Sequence, residues 1–297
     1  MSSSPPSPRG SSSGSALLPT GRLPRILVLG DGGKAQAREV GEQIEGLLDG
    51  RAKLLGIDLV RSYEPIDSRP DLVIVLGGDG ALLAASHRLG KRRVPVMGVN
   101  LGKVGFLAAV APERLATMID LLFAGKARSE DRAMMRFRVR RDGQVVLDSH
   151  VLNEIVISRS AKESMIQVDL IDERRPVASF SGDGVIVSTA TGSTAYNLSA
   201  GGPILAPSLE ALVVQPLAPY ALGMRSLVLR NDRHFTLSVH GPALLNSDGH
   251  LEGKLQSGDR VLVGPSKRRL RLVVDPENRF YARLRSKLHW GEEPQAG

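Results

Sequence analysis

Three times before residue 108, a strand-sized apolar run breaks into glycines. The runs are "RILVLGDGGKA" (Arg25–Ala35), "DLVIVLGGDGALL" (Asp71–Leu83) and "VPVMGVNLGKVGFL" (Val94–Leu107). Between and after them the apolar spacing turns helical. Val40, Ile44, Leu47 and Leu48 share one face of residues 36–49, "ALLAASHRL" reads as a helix, and Leu115, Met118, Ile119, Leu122 and Phe123 share another face, with Gly125 as C-cap. Strands alternating with helices predict a parallel sheet covered on both faces. Sheets of this kind bind ligands beyond the carboxyl ends of their strands, where these glycines fall.

The texture changes near residue 130. "MRFRVRRDGQVVLDSHVLNEIVI" alternates, turns at Asp142-Gly143 and alternates again, which predicts a β-hairpin. Short β-like runs follow ("MIQVDLID", "GVIVST", "SLVLR", "HFTLSVH", "RVLVGPS", "RLRLVV"), with one helix expected after Gly192. The expected organisation is a disordered Ser/Pro-rich tail over residues 1–23, an α/β domain over 24–130, an antiparallel β-rich domain over 131–275 and a C-terminal segment over 276–297.

Composition narrows the function. Hydrophobic content of 42% and charged content of 24% suit a globular protein. No apolar run reaches the length of a membrane span, so no membrane association is expected. The absence of cysteine excludes disulfides, thiolate metal sites and a cysteine nucleophile, and points to the cytoplasm. Net charge is +8 and the isoelectric point about 10.0, but aromatics are only 4% and do not interleave with the basic residues. Phosphorylated small molecules fit that charge better than nucleic acid, which is not expected as a partner.

The loops carry the chemistry. "GDGGKA" matches the dinucleotide pattern G-x-G-x-x-A but reads as a turn of permissive glycines, because Asp58 sits inside "GIDLV" rather than closing a second strand. Asp79, within Gly77-Gly78-Asp79-Gly80, could cap the next helix, yet a cap does not need three glycines. Those glycines predict a ligand against the backbone. A carboxylate beside a phosphorylated ligand is repelled unless it binds a metal or a proton, and taking the proton of an attacking hydroxyl meets that condition. Asn153 and Glu154 are adjacent in a strand pattern, so one would point inward unless a bulge re-aims it. In "FSGDGVIVSTATGSTAYNLSAGGPIL" (Phe180–Leu205), Asp183, Thr194, Tyr196 and Ser199 could grip ribose and amide groups. The histidines are scattered and no H-E-x-x-H occurs, so a protein-ligated metal site is not expected.

Taken in order, "GGDG", "GVNLGKVGFL", "LNEIVI", "SGDGVIVSTATGSTAYNLSAGGPIL", "NSDGH" and "FYARLRSKLHW" resemble the NAD kinase family over nearly the whole ordered chain. The resemblance implies phosphorylation of the adenosine ribose 2′-hydroxyl of NAD by ATP or polyphosphate. It implies that Asp79 accepts the proton, that Gly78 and Gly80 line the dinucleotide, and that Phe106 lies beside the adenine. It assigns Asn153 and Glu154 to adenine and ribose and Asp183 to the nicotinamide side. Thr194, Ala195, Tyr196, Asn197, Leu198 and Ser199 would wrap the dinucleotide, partly across a subunit contact. It further implies a Rossmann-like domain, a β-rich domain and a C-terminal segment returning to the first, in a homodimer or homotetramer. A divalent cation, magnesium, would be held mainly through the nucleotide phosphates. The chain departs from the family pattern at Ala81 (often Thr), Ala190 (Pro), His250 (often Gln) and "PLAPY" (Pro216–Tyr220). A diacylglycerol-type lipid kinase, which shares GGDG, and a non-catalytic NAD(P) sensor are the competing readings.

Overall fold

The computed structural model describes residues 16–33, 36–60, 62, 64, 66–102, 105–160 and 165–290. The Ser-rich stretch before residue 16, Lys34-Ala35, Lys103-Val104 and residues 291–297 lie outside the described residues. The chain forms two compact units. One takes the described residues up to Ala85, Val94–Asp131 and those from Arg271 on; the other takes Ser86–Arg93 and Arg132–Leu270.

The first unit runs β1 (Arg25–Gly30), α1 (Gln36–Leu48), β2 (Lys53–Asp58), β3 (Leu72–Gly77), the start of α2 (Asp79–Leu89), β4 (Pro95–Asn100) and α3 (Leu115–Phe123). Its strands lie in the order β2-β1-β3-β4 and all pair in parallel. Leu72 through Leu76 are buried without alternation because helices cover both faces of such a sheet. Val40, Ile44 and Leu48 of α1 and Met118, Ile119 and Leu122 of α3 join one core with these strands. From the β1/β3 pair the chain crosses one way to β2 and the other way to β4, so right-handed crossovers put α1 and α2 on opposite faces. The crevice between β1 and β3 is therefore a topological switch point.

Two expectations change in this unit. Ordered packing begins before residue 24. Leu18 is 7% exposed in the core, Leu17 packs beside it, and the two terminal nitrogens of the Arg22 guanidinium donate to the Asp71 carboxylate at 2.7 Å. That pairing holds the Asp71 carboxyl at about 2. Leu18, the half-buried Leu17 and the Arg22–Asp71 pairing together anchor a segment whose composition reads as tail. Asp58 also closes β2 after all, and its Oδ1 accepts the Val60 N–H at 3.0 Å in a turn. Leu59 and Val60 look strand-like but lie beyond the ladder.

The second unit is almost all antiparallel β. Its strands are β5 (Arg128–Arg141), β6 (Gln144–Val151), β7 (Glu154–Arg159), β8 (Ile166–Asp172), β9 (Arg175–Gly182) and β10 (Gly184–Thr189). The short helix α4 (Tyr196–Ser199) follows, where a helix after Gly192 was expected. Then come β11 (Ala211–Leu217), β12 (Leu227–Arg230), β13 (Phe235–His240), β14 (Ala243–Ser247), β15 (His250–Leu255) and β16 (Arg260–Val274), before α5 (Phe280–Leu288). The β5–β6 hairpin turns at Asp142 and Gly143, both at positive φ, as a two-residue hairpin turn demands. One sheet has the order β12-β11-β10-β7-β14-β15, and β16, β13, β8 and β9 are consecutive neighbours in the other. Phe137, Ile155, Ile157, Val187, Leu237 and Val263 belong to the core that the two sheets share. Strand β16 serves both units: Arg260–Val263 pair with β13, and Arg271–Val273 run parallel to β4. This is the α/β plus antiparallel β architecture expected from the sequence.

Candidate active site

In the first unit the site grows from the end of β3. Gly77 sits at φ 152°, and a Cβ there would lie 2.7 Å from that of Ala81. Helix α2 begins at Asp79, and the Gly78 carbonyl accepts its first backbone bonds from Ala81 and Leu82. The Asp79 carboxylate turns toward the third glycine loop. Oδ2 accepts the Phe106 N–H at 2.8 Å, and Oδ1 accepts those of Leu107 and Ala108 at 2.9 and 3.0 Å. This approach requires glycine at 105, where a Cβ would lie 1.9 Å from Oδ1. The two loops are also joined through the strands: Gly77 pairs with Asn100, and the Leu101 N–H donates to the Gly77 carbonyl at 3.3 Å. The Phe106 ring lies 6.2 Å from that of Phe280 in α5, with Lys287 Nζ 4.9 Å over its face. Gly78, Asp79, Gly80 and Phe106 thus belong to one constellation.

The second unit gathers most of the other residues named from sequence. Glu154 opens β7 and Asn153 lies in the bend before it, so both can turn inward, at 7% and 6% exposure. A residue that sequence reasoning missed holds them. Asp248, on the β14–β15 turn, accepts the backbone N–H groups of Leu152 at 2.8 Å, Asn153 at 2.7 Å and Glu154 at 3.2 Å. Its Oδ2 is also 3.0 Å from His87 Nε2. Burial, and then the Asp248 charge, push the Glu154 carboxyl up to about 8. Asn153 Oδ1 and Glu154 Oε2 are buried without hydrogen-bond partners. Buried polar atoms rarely stay unpaired, so this adjacent pair is open to a water or a ligand.

The "TATGSTAYNLS" run packs on that bend. Thr189 Oγ1 donates to the Leu152 carbonyl at 2.6 Å and accepts the Gly192 N–H at 3.1 Å. Gly192 approaches so closely that a Cβ would lie 2.3 Å from the Asn153 carbonyl oxygen. Asn197 is fully buried, and its Nδ2 donates to the carbonyls of Ser193 and Pro203 at 3.0 Å, which pins the loop. Thr194, Ala195 and Leu198 are half-buried, while Tyr196 and Ser199 are exposed. Asp183 is not brought to this group. It precedes β10, at the opposite end from Ser188, which pairs with Glu154, and its Oδ1 accepts from Arg159 Nε at 2.7 Å. Asp248 is visible in "NSDGH", but nothing local shows which backbone it holds.

Comparison with known proteins decides the family. Residues 28–127 match the ATP-NAD kinase N-terminal domain and residues 152–274 the ATP-NAD kinase C-terminal domain. An NAD kinase of Cellvibrio japonicus is 41% identical over 225 residues, covering 74% of this chain and 75% of the relative. The chain belongs to the NAD kinase family. Another NAD kinase, from Heliobacterium modesticaldum, is 37% identical over 282 residues, 91% of this chain and all of the relative (100%). Among solved structures, an Archaeoglobus fulgidus NAD kinase in complex with ATP matches with a TM-score of 0.72 and 25% identity, over 89% of this chain and 98% of its own. A yeast NADH kinase complexed with NADH shares the fold with a TM-score of 0.84 at 20% identity, over 94% of this chain and 91% of its own.

Proposed function

We propose that the chain is an NAD kinase that transfers a phosphoryl group from ATP or polyphosphate to the 2′-hydroxyl of the adenosine ribose of NAD, giving NADP. The observation that carries this reading is the Asp79 carboxylate, intact within a family-matched chain and set at the head of α2 beside the Phe106–Ala108 loop. Each carboxylate oxygen has two acceptor sites. Oδ2 takes one backbone N–H and keeps a second site for the ribose hydroxyl. Asp79 orients that hydroxyl and takes its proton as the phosphoryl group arrives. Asn153 and Glu154 hold adenine and ribose through their unpaired buried atoms, with Glu154 protonated and able to donate. Phe106 lies beside the adenine, Thr194–Ser199 wrap the dinucleotide and Asp183 serves the nicotinamide side.

Among the described residues, no group of three or more His, Cys, Asp or Glu could hold a metal ion. The magnesium of this reading is carried by the donor phosphates, whose charge it offsets. Among those residues, too, no helix is long and apolar enough to cross a membrane. We place the protein in the cytoplasm, which suits a cysteine-free chain, and take it to act as a homodimer or homotetramer, as the family resemblance implies.

The test offers purified protein NAD or NADH, each with ATP or polyphosphate, and diacylglycerol alongside. The expected product is NADP(H). Binding of NAD without turnover under every donor would leave the sensor reading in its place, and phosphorylated diacylglycerol the lipid-kinase reading.

A further inference from the structure

The first unit contains a cavity of about 690 Å³ whose lining includes none of the residues assigned to the dinucleotide. One wall is the first turns of α1, with Glu39, Val40 and Gln43; the other is the segment after the third glycine loop, with Ala109, Pro112 and Glu113. That second wall is the continuation of the loop that Asp79 grips through the Ala108 N–H. It is fixed to the sheet by bonds from the Asn100 N–H to the Val110 carbonyl (2.8 Å) and from the Val110 N–H to the Gly98 carbonyl (3.1 Å). Asn278 closes it through a 2.6 Å bond from Nδ2 to the Ala109 carbonyl. Asn100 lines the cavity and pairs in the sheet with Gly77, two residues before Asp79. The cavity therefore opens at the strand ends that carry the proposed base.

Its chemistry selects one part of a ligand. The described lining residues include two carboxylates and several amides but no cation, in a chain of net charge +8. Phosphate is repelled there, whereas hydroxyl and amine hydrogens find acceptors. Two carboxylates without a third ligand do not make a cation site. Val40, Ala109 and Pro112 offer apolar contact for a flat ring, and the volume lies within the usual range of about 300–1,000 Å³ for small-molecule sites. We propose that this cavity seats the purine nucleoside of the phosphoryl donor, with the triphosphate leaving it toward the Asp79 loop. The inference rests on the kinase reading and adds a donor subsite distinct from the acceptor's residues.

Gln43 is exposed on α1, so Gln43→Trp can fill the cavity without disturbing the core. Glu39 and Glu113 are exposed as well, so the double variant Glu39→Ala, Glu113→Ala removes the acceptors at little risk to folding. The full chain and both variants are titrated calorimetrically with a non-hydrolysable ATP analogue and with inorganic tripolyphosphate, and assayed with NAD and ATP. Each variant is expected to weaken the analogue and raise KM for ATP about tenfold or more, with KM for NAD and tripolyphosphate binding unchanged. An unchanged analogue Kd in both variants would overturn the assignment, as would an equal loss of tripolyphosphate binding. If wild-type protein makes no NADP(H), the kinase reading fails on its own, and the analogue Kd still decides the cavity.

Discussion

Asp79 has two tasks that compete. It ties three backbone N–H groups of the 106–108 loop, and in the proposed reaction it also takes a proton. Asp79→Asn turns an amide toward those donors and removes the base, so NADP formation should fall about 10²–10⁴-fold. Gly105→Ala reaches both tasks from the loop side. It keeps the carboxyl group but drives a Cβ into it, so the carboxylate or the loop must shift, and a large loss of kcat is expected although Gly105 carries no reacting group. Wild-type kcat in Gly105→Ala would show that the loop anchor is dispensable. Glu154 gives a prediction in pH. Its folded carboxyl titrates at about 8 against an ordinary value of 4.5. Below 4.5 both states are protonated; as pH rises toward 8 the unfolded chain loses this proton first, so stability drains away across that window and then levels. Urea midpoints at acid and alkaline pH should fall less in Glu154→Gln than in wild type, and parallel curves would refute the assignment.

At the scale of elements, the β14–β15 turn and the 152–154 bend act as one piece because Asp248 joins them. Asp248→Asn should destabilise the protein by about 1–3 kcal/mol, the cost of stranding buried donors. It should also raise KM for NAD more than it lowers kcat, since the residue positions Asn153 and Glu154 rather than reacting. A fall in kcat alone would argue against that role. His87→Ala should have a milder effect, because the three backbone bonds remain. These ties also mark the limit of what the sequence made legible. Apolar runs, the Asp142-Gly143 hairpin and the glycine loops are local signals, and the elements they predict are present. Asp248 and His87 stand 161 positions apart, and no periodicity couples them. Asp79 reads as a free base until the fold brings Phe106 to it across 27 positions. Leu17 and Leu18 are too short a run to register, and Leu59-Val60 extend an apolar pattern past the last residue of the ladder.

The whole molecule carries a net charge of +8 while its proposed substrates are anionic. Attraction of that kind acts over about a Debye length and is screened by salt. Between roughly 50 and 500 mM KCl, kcat/KM for ATP should fall several-fold with little change in kcat; a flat profile would mean that the basic residues face away from the approach path. The division of the chain has a consequence for biosynthesis. The second unit is complete once Leu270 has been made, but the first still needs the residues from Arg271 on. Until then β4 lacks its parallel neighbour Arg271–Val273, and Phe106 lacks Phe280 and Lys287. Translation from the N-terminus therefore does not finish this protein in the order of its residues. A chain released after Leu270 would hold every strand of the β core and an Asp79 loop still lacking its last neighbours, so it should fold in part and form no NADP.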